Sequence, residues 1–341
     1  MTALVVQECG PMTTIQDAGR FGWQRFGVSN AGAMDRLALA AANALVGNGP
    51  GAAAIEFTLL GGVFTIEGGP ARVAVAGAPC AVALDGQPVP AMTSALAHDG
   101  QRLTIGPAQA GVFAYLAVAG GLDLPPQLGS LSLQPRAWIG GFQGRPFQPG
   151  DRVPLLLAEP PPGLELALEL LPLEADAPVR VVFGPQDDLF TPNGIETFLT
   201  AAYAVSREAD RMGYRLTGPP VQHLNGYNIV SDGVVAGSVQ VPGGGEPIVM
   251  MADRQTTGGY PKIATVISAD LRVLAQRRPG QRVRFAGINI CEAQRLARER
   301  AQLIAAFPAR CRPARGGALP PIEELLALNL AGAAVDALSE T

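Results

Sequence analysis

AAIEFTLLGGVFTIEGGPARVAVAGAPCAVALDGQPVPAMTSALAHDGQRLTIGPAQAGVFAYLAV, residues 53–118, decides the fold. Its apolar runs AAIEFTLLGG, ARVAVAG, AVALDGQPV, QRLTIG and GVFAYLAVAGG are short and bounded by glycine. Such runs read as closely spaced strands, and Asp85-Gly86 is a strong hairpin turn between two of them. Many short strands with little helix between them predict a sandwich or closed barrel.

Upstream, a strand is predicted over Ala3–Glu8, followed by the glycine-punctuated loop GPMTTIQDAGRFGWQRFGVSNAG. Asp17, Arg20, Trp23 and Arg25 fall there without helical or alternating periodicity. A long ordered loop of this kind either carries function or seals one end of a barrel. Met34–Val46 is an Ala/Leu-rich helix stopped by Gly47-Asn48. Downstream, loops lead to a strand over Val153–Leu157. Residues 158–178, with a proline cluster and several acids, read as a connector and as the domain boundary.

The second half opens with a strand, Val179–Phe183, and enters GPQDDLFTPNGIETFLTAAY, where Thr191 and Pro192 suit an N-cap and first helical position. Asp187-Asp188, just before that helix, can stabilise its positive end or serve as site carboxylates. Strands broken by Gly-rich turns follow. A short helix, Ala269–Arg277, is expected with Ser268 as its cap, and then a final strand, Arg282–Phe285. Ile288–Phe307 is an amphipathic helix. Beyond it the chain is proline-rich, then apolar and Ala-rich from Glu323 to Leu338. A faint echo of the 17–37 loop in residues 253–271 hints at two related domains.

The 341 residues are enough for two sizeable cores. With 48% hydrophobic and 16% charged residues and a net charge of −4, nucleic acid is not an expected partner. No apolar run reaches membrane-spanning length, so a cytoplasmic protein is expected. Four scattered cysteines and two histidines form no metal-ligand or disulfide pattern. Neither His98 nor His223 accompanies a nucleophile-elbow sequence.

Function is sought in Ala252–Asp270, ADRQTTGGYPKIATVISAD. It gathers Asp253, Arg254 and Lys262 around a Thr-Thr-Gly-Gly-Tyr turn, and Lys262 is the only lysine in the chain. An Ala-, Gly-, Pro- and Arg-rich composition explains why lysine is scarce, but not why this one follows Gly-Gly-Tyr-Pro. Adjacent glycines allow positive φ or a close approach of backbone to an anion.

Two blocks carry a family resemblance. The first is TTIQDAGRFGWQRFGVSNAGAMDRLALAAANALVGN with AAIEFTLLGG and YLAVAGGLDLPPQLGS. The second is GPQDDLFTPNGIETFL, DRMGYRL and IVSDGVVAGSVQVPGGGEPIVMMADRQTTGGYPKIATVISADL. Together, over roughly residues 10–287, they resemble the KipA family, which includes the C subunit of 5-oxoprolinase and has been labelled allophanate hydrolase subunit 2. The resemblance implies a mainly β fold: two cyclophilin-like β-barrel domains, residues 1–170 and 171–287, with a few short helices, then a C-terminal helix and tail over 288–341. It implies a hydrolase subunit, inactive alone, that opens 5-oxoproline to glutamate with ATP and Mg2+. Its partners would be a KipI-like B subunit and an A subunit. A similarity to the carboxyltransferase part of urea carboxylase leaves that activity as an alternative, and capture of a KipI-like inhibitor of a sensor histidine kinase as another. No lysine lies between methionines, so no covalently attached biotin is expected. The family's LGSRST is LGSLSL here, with Leu131 and Leu133, which puts an arginine contact at that loop in doubt. Asn and Lys near the positions of Gln240 and Ser268 mark the urea carboxylase branch, and this chain lacks them.

ATP-coupled opening of an unreactive lactam needs cations near developing phosphate charge and carboxylates for metal or proton handling. The candidate catalytic residues are Lys262, Asp253, Asp187 and Asp188. The candidate substrate- or nucleotide-binding residues are Arg254, Arg211, Gln240, Thr256, Thr257, Gly258, Gly259, Tyr260, Asp232, Asp17 and Arg20. No Walker-type GxxxxGK[ST] is present, so a nucleotide would bind by another geometry or on a partner chain.

Overall fold

The computed structural model describes residues 1–169, 172–173 and 176–314. The Ala-rich segment 323–338 lies outside them. As expected, the chain is mainly β with barrel-like sheets and few helices.

In the first half, two sheets enclose one core. One runs Arg152–Pro154, Ala3–Cys9, Gly62–Glu67, Arg102–Ile105, Val82–Leu84, Gln87–Val89; the other runs Thr14–Gln16, Ala54–Thr58, Phe113–Val118, Ala71–Gly77, Ser94–Ala97. The Asp85-Gly86 hairpin forms as read, with φ of 46° and 79° at its two turn residues. Strand alternation sorts side chains by size. Val73 and Val75, with Leu116 and Val118, fill the space between the sheets together with Leu4, Phe57 and Phe64. Their neighbours Ala74, Ala76, Tyr115 and Ala117 point the other way, onto helix α1, Arg36–Leu45. The alanines on that face let an Ala-rich helix pack closely, and nine of its ten residues are buried. Burying each large apolar side chain contributes about 1.5–3 kcal/mol.

The second half is built on one eight-stranded sheet, with a separate two-stranded ladder, Asp232–Gly233 with Thr257–Gly258. The strand expected over Arg282–Phe285 divides at Arg284. Arg282–Val283 pairs with Tyr203–Val205 at one end of the sheet, and Phe285–Gly287 pairs in parallel with Val179–Phe183 at the other. Val179 N–H also donates to the Arg284 carbonyl at 2.8 Å. A single stretch of chain thus bridges both ends of the sheet and nearly closes the barrel.

Helix α2, Pro192–Thr200, starts as read: the Thr191 hydroxyl accepts from Gly194 N–H at 2.9 Å. Helix α3 is shorter than expected, Leu271–Ala275, and Ser268 is exposed instead of capping it. Asp270 occupies the cap position, but its carboxylate is held by Arg180 at 2.6 and 2.8 Å. A tertiary ion pair outcompetes the local cap there. Helix α4, Ile290–Arg310, is capped by Asn289 and lays Leu303, Ile304 and Phe307 against the core that α1 shares with the second barrel. Between the halves, Leu166–Ala167 pairs with Arg312–Pro313. No helix among the described residues is long and apolar enough to cross a membrane.

Candidate functional site

The Thr-Thr-Gly-Gly-Tyr turn folds back on residues 229–234. Thr257–Gly258 pairs with Asp232–Gly233, Ile229 N–H reaches the Gly259 carbonyl at 2.9 Å, and Val234 N–H reaches the Thr256 carbonyl at 2.9 Å. This clamp brings Asp232 over Lys262, which opens the strand Lys262–Val266. The Lys262 Nζ donates to Asp232 Oδ2 at 2.8 Å; the lysine side chain is 3% exposed and the aspartate 53%. Gln186 completes the cluster. Its amide donates to the same oxygen at 3.1 Å, and its carbonyl accepts from Lys262 N–H at 3.0 Å. The Lys262 hydrogen bond, helped by Gly233 N–H, holds the Asp232 carboxyl below the usual range.

Gln240 lies across the ladder from Lys262, beside a bulge. It is buried, accepts from Gln255 at 3.3 Å, and leaves Nε2 without a hydrogen-bond partner among the described residues. The turn glycines serve close approach here, not positive φ: neither Gly258 nor Gly259 is left-handed. A Cβ on Gly258 would lie 2.4 Å from Gln240 Nε2. Gln240, Gln255 and the exposed Tyr260 line an open cavity of roughly 350 Å³. Asp187 and Asp188 sit in the short helical turn that follows Gln186, Asp187 half-buried and Asp188 exposed.

Arg211 and Asp253 are elsewhere, enclosed between the halves. The Arg211 guanidinium forks onto Asp253 at 2.8 and 2.9 Å, donates to the Gly32 carbonyl at 2.8 Å, and pairs with Glu56, which is 0% exposed. Glu56 also accepts from the Tyr115 hydroxyl at 2.6 Å and Met34 N–H at 3.0 Å. Tyr115 in turn accepts from Asp35 N–H, and the Asp35 carboxylate caps α1 while taking Arg272 and Gln276 from the second half. Burial raises the Glu56 carboxyl despite the arginine, and raises the Tyr115 hydroxyl well above its ordinary value.

Asp17 and Arg20 form a third group in the first half. The Asp17 carboxylate takes the hydroxyls of Ser130 and Ser132 and the Leu131 N–H, while Arg20 donates to the carbonyls of Gln127 and Ser132 at 3.0 and 2.9 Å. The LGSLSL loop is therefore held through its serines and backbone, with Leu133 buried. Arg254 is buried against the carbonyls of Val234 and Met251. The His223 ring lies tilted against Phe190, 4.9 Å between centres, with a ring nitrogen 3.0 Å from the Val241 carbonyl. Among the described residues, no group of three or more His, Cys, Asp or Glu side chains is arranged to hold a metal.

The structure thus joins Lys262, Asp232, Gln240 and the 256–260 turn, and separates them from Arg211–Asp253 and Asp17–Arg20. Reading by motif missed Gln186, Glu56, Tyr115, Asp35 and Arg272. For Glu56 a signal existed: it is the one acid inside an otherwise apolar strand, AAIEFTLL.

Comparison with known proteins agrees with the resemblance. The model of the carboxyltransferase domain, subdomain A and B, matches residues 26–287. The chain is 40% identical over 291 residues to the C subunit of 5-oxoprolinase from Escherichia coli K12, covering 85% of this chain and 93% of that protein. It is 40% identical to the Haemophilus influenzae protein of the same name, covering 84% and 91%. It is also 33% identical to a putative urea carboxylase of Emericella nidulans, covering 85% of this chain but 24% of that one. Among solved structures, TTHA0988 superposes with a TM-score of 0.76 at 37% identity, covering 84% of this chain and 56% of that one. The K. lactis urea amidolyase superposes with a TM-score of 0.83 at 27% identity, covering 93% and 21%. The chain belongs to the carboxyltransferase-domain family of subdomains A and B.

Proposed function

We propose that this chain is one subunit of an ATP-dependent 5-oxoprolinase, acting with a KipI-like B subunit and an A subunit, and that it contributes Lys262, Asp232 and Gln186 to the site. The carrying observation is the Lys262 ammonium, enclosed within the barrel wall yet bound to a carboxylate that is half open to solvent. A buried cation is costly unless it is paired and hydrogen-bonded. Here the pair reaches solvent through Asp232, beside a turn whose Tyr260 lines an open cavity with Gln240 and Gln255. An ammonium there can stabilise an oxyanion forming on a cyclic amide, and Asp232, kept ionised by that ammonium, can orient it. The two 40% identical relatives, both named as the C subunit of 5-oxoprolinase and matched over nearly their full length, favour this substrate class.

Bound ATP would supply the phosphoryl group that activates the lactam. The Lys262 cluster does not fit its triphosphate: it offers one ammonium, already paired, against Asp232, Asp187 and Asp188. The proposal leaves ATP and Mg2+ to the partner chain or to another surface of this one. Phe21, Phe26, Tyr227, Val230, Val235 and Tyr260 are exposed, which supports docking of a further subunit near this end of the barrel. A carboxyltransferase role is the second reading, favoured by the urea carboxylase relatives at lower identity. Against a biotin carrier role, the sole lysine is enclosed and bound to Asp232.

Co-expression with the two partner subunits, followed by 5-oxoproline-dependent ADP release, tests the reading. Turnover is expected from the full complex and not from this chain by itself. A complex that transfers carboxyl groups from biotin and ignores 5-oxoproline would overturn it.

A further inference from the structure

Between α1, α3 and α4 lies a second cavity, of roughly 520 Å³, whose lining includes Arg36, Arg254, Arg272 and Arg300. No carboxylate lies among its described lining residues. Volumes of about 300–1,000 Å³ are usual for small-molecule sites. The positive charge of Arg254 and Arg272 is incompletely matched. Arg254 is 4% exposed and contacts only the carbonyls of Val234 and Met251, at 3.2 and 3.4 Å, with no ion pair among the described residues. Arg272 is 5% exposed; it spends Nε on Asp35 and Nη1 on the Pro172 carbonyl, while Nη2 has no hydrogen-bond partner among the described residues. Arg36 stands at the exposed mouth, its guanidinium 5.4 Å from the Phe21 ring centre. Arg300 donates to the Ala269 carbonyl at 3.2 Å.

Three carboxylates that act on its arginines are already engaged. Asp35 caps α1 and holds Arg272, Asp253 is forked by Arg211, and Asp17 is taken by the 130–132 loop. Burial, and then repulsion from Arg36, draw the Arg254 guanidinium down to about 10. Buried charges are normally paired, and guanidinium forks match carboxylate and phosphate oxygens. The remaining wall is apolar, from Met34, Leu37, Leu271 and Ile304.

We propose that this cavity binds a small organic anion, its carboxylate or phosphate head against Arg254 and Arg36 and its compact apolar body against Met34, Leu37 and Ile304. The site is distinct from the Lys262 cluster, and its occupancy does not depend on which reaction the complex performs. It touches that cluster at one point. The Val234 carbonyl, two residues after Asp232, accepts from Arg254 and from Gln24 at 3.2 and 3.4 Å.

Calorimetric titration of the full chain, without partners and at constant ionic strength set by chloride, tests the proposal. Phenyl phosphate and benzoate serve as probes, with benzyl alcohol as the uncharged control. Saturable binding of at least one anion is expected, with the tighter of the two naming the head group, and none of the alcohol. Arg36→Gln, at the surface, and Arg254→Gln, checked for folding by circular dichroism, are each expected to weaken binding about tenfold or more, which corresponds to about 1.4 kcal/mol. Absence of saturable binding by both anions, equal binding of the alcohol, or unchanged affinity in Arg36→Gln would overturn it. Because the readout is binding by the isolated chain, its failure is separable from failure of the oxoprolinase reading.

Discussion

Two ion pairs arise from one short stretch, residues 252–270, and the structure treats them in opposite ways. Asp253 is sealed beneath Arg211, and that pair continues through Glu56, Tyr115 and Asp35 into the first barrel. Lys262 is sealed too, but its partner Asp232 stays half in water. An enclosed pair with every carboxylate oxygen occupied by protein donors can register two domains against each other, although Arg211 and Asp253 also line a cavity of roughly 340 Å³. A pair with one end in solvent can exchange partners. The degree of enclosure, more than the residue types, separates scaffold from candidate chemistry here.

The largest effect is expected on the enclosed side. Arg211→Met leaves Asp253 and Glu56 buried without their cation, and breaking such a pair costs about 3–5 kcal/mol. Urea denaturation should show that loss; a change below about 1 kcal/mol would erase the contrast between the two regions. A smaller effect is expected at the turn. Gly258→Ala places a methyl against Gln240, and overpacking of this kind costs about 1–3 kcal/mol. Gly259→Ala, whose nearest contact would be the Ile229 carbonyl at 3.5 Å, should cost less. Equal urea midpoints for the two variants would show that Gln240 does not need the space. The smallest concerns pH. The folded Asp232 carboxyl lies below its ordinary value near 3.8, so the stability it adds is fully present above that value and is lost only as pH falls through the lowered folded one. The difference in melting temperature between wild type and Asp232→Asn should therefore stay constant from about pH 8 to pH 5 and shrink only in stronger acid. A difference that vanishes near pH 6 would contradict the Lys262 contact.

Where local chemistry governs, the sequence was readable. The Asp85-Gly86 hairpin and the Thr191 cap depend on neighbours a few residues away, and both form as read. The helix expected over Ala269–Arg277 forms only over Leu271–Ala275 and without a Ser268 cap, and Arg180, far back in the chain, claims Asp270. The final strand was seen but not its division at Arg284, since closure of a barrel is a property of the whole sheet. The site shows the same split. Lys262, Gln240 and Asp232 stand beside recognisable glycine-rich stretches, whereas the partners of Arg211 and Arg272, Glu56 and Asp35, lie 155 and 237 positions away. No periodicity or spacing rule connects residues at that separation.

The most direct test of the contrast is Lys262→Met in the assembled complex, with 5-oxoproline-dependent ADP release and thermal unfolding measured on the same preparation. Methionine fills the enclosed volume and leaves Asp232 half-exposed, so the melting temperature should stay close to wild type. Loss of an oxyanion-stabilising group lowers turnover by about a hundredfold or more, and Arg at this position should rescue little of it because a planar fork does not replace a compact ammonium. A rate within a few-fold of wild type for Lys262→Met would contradict the account and make Lys262–Asp232 as structural as Arg211–Asp253.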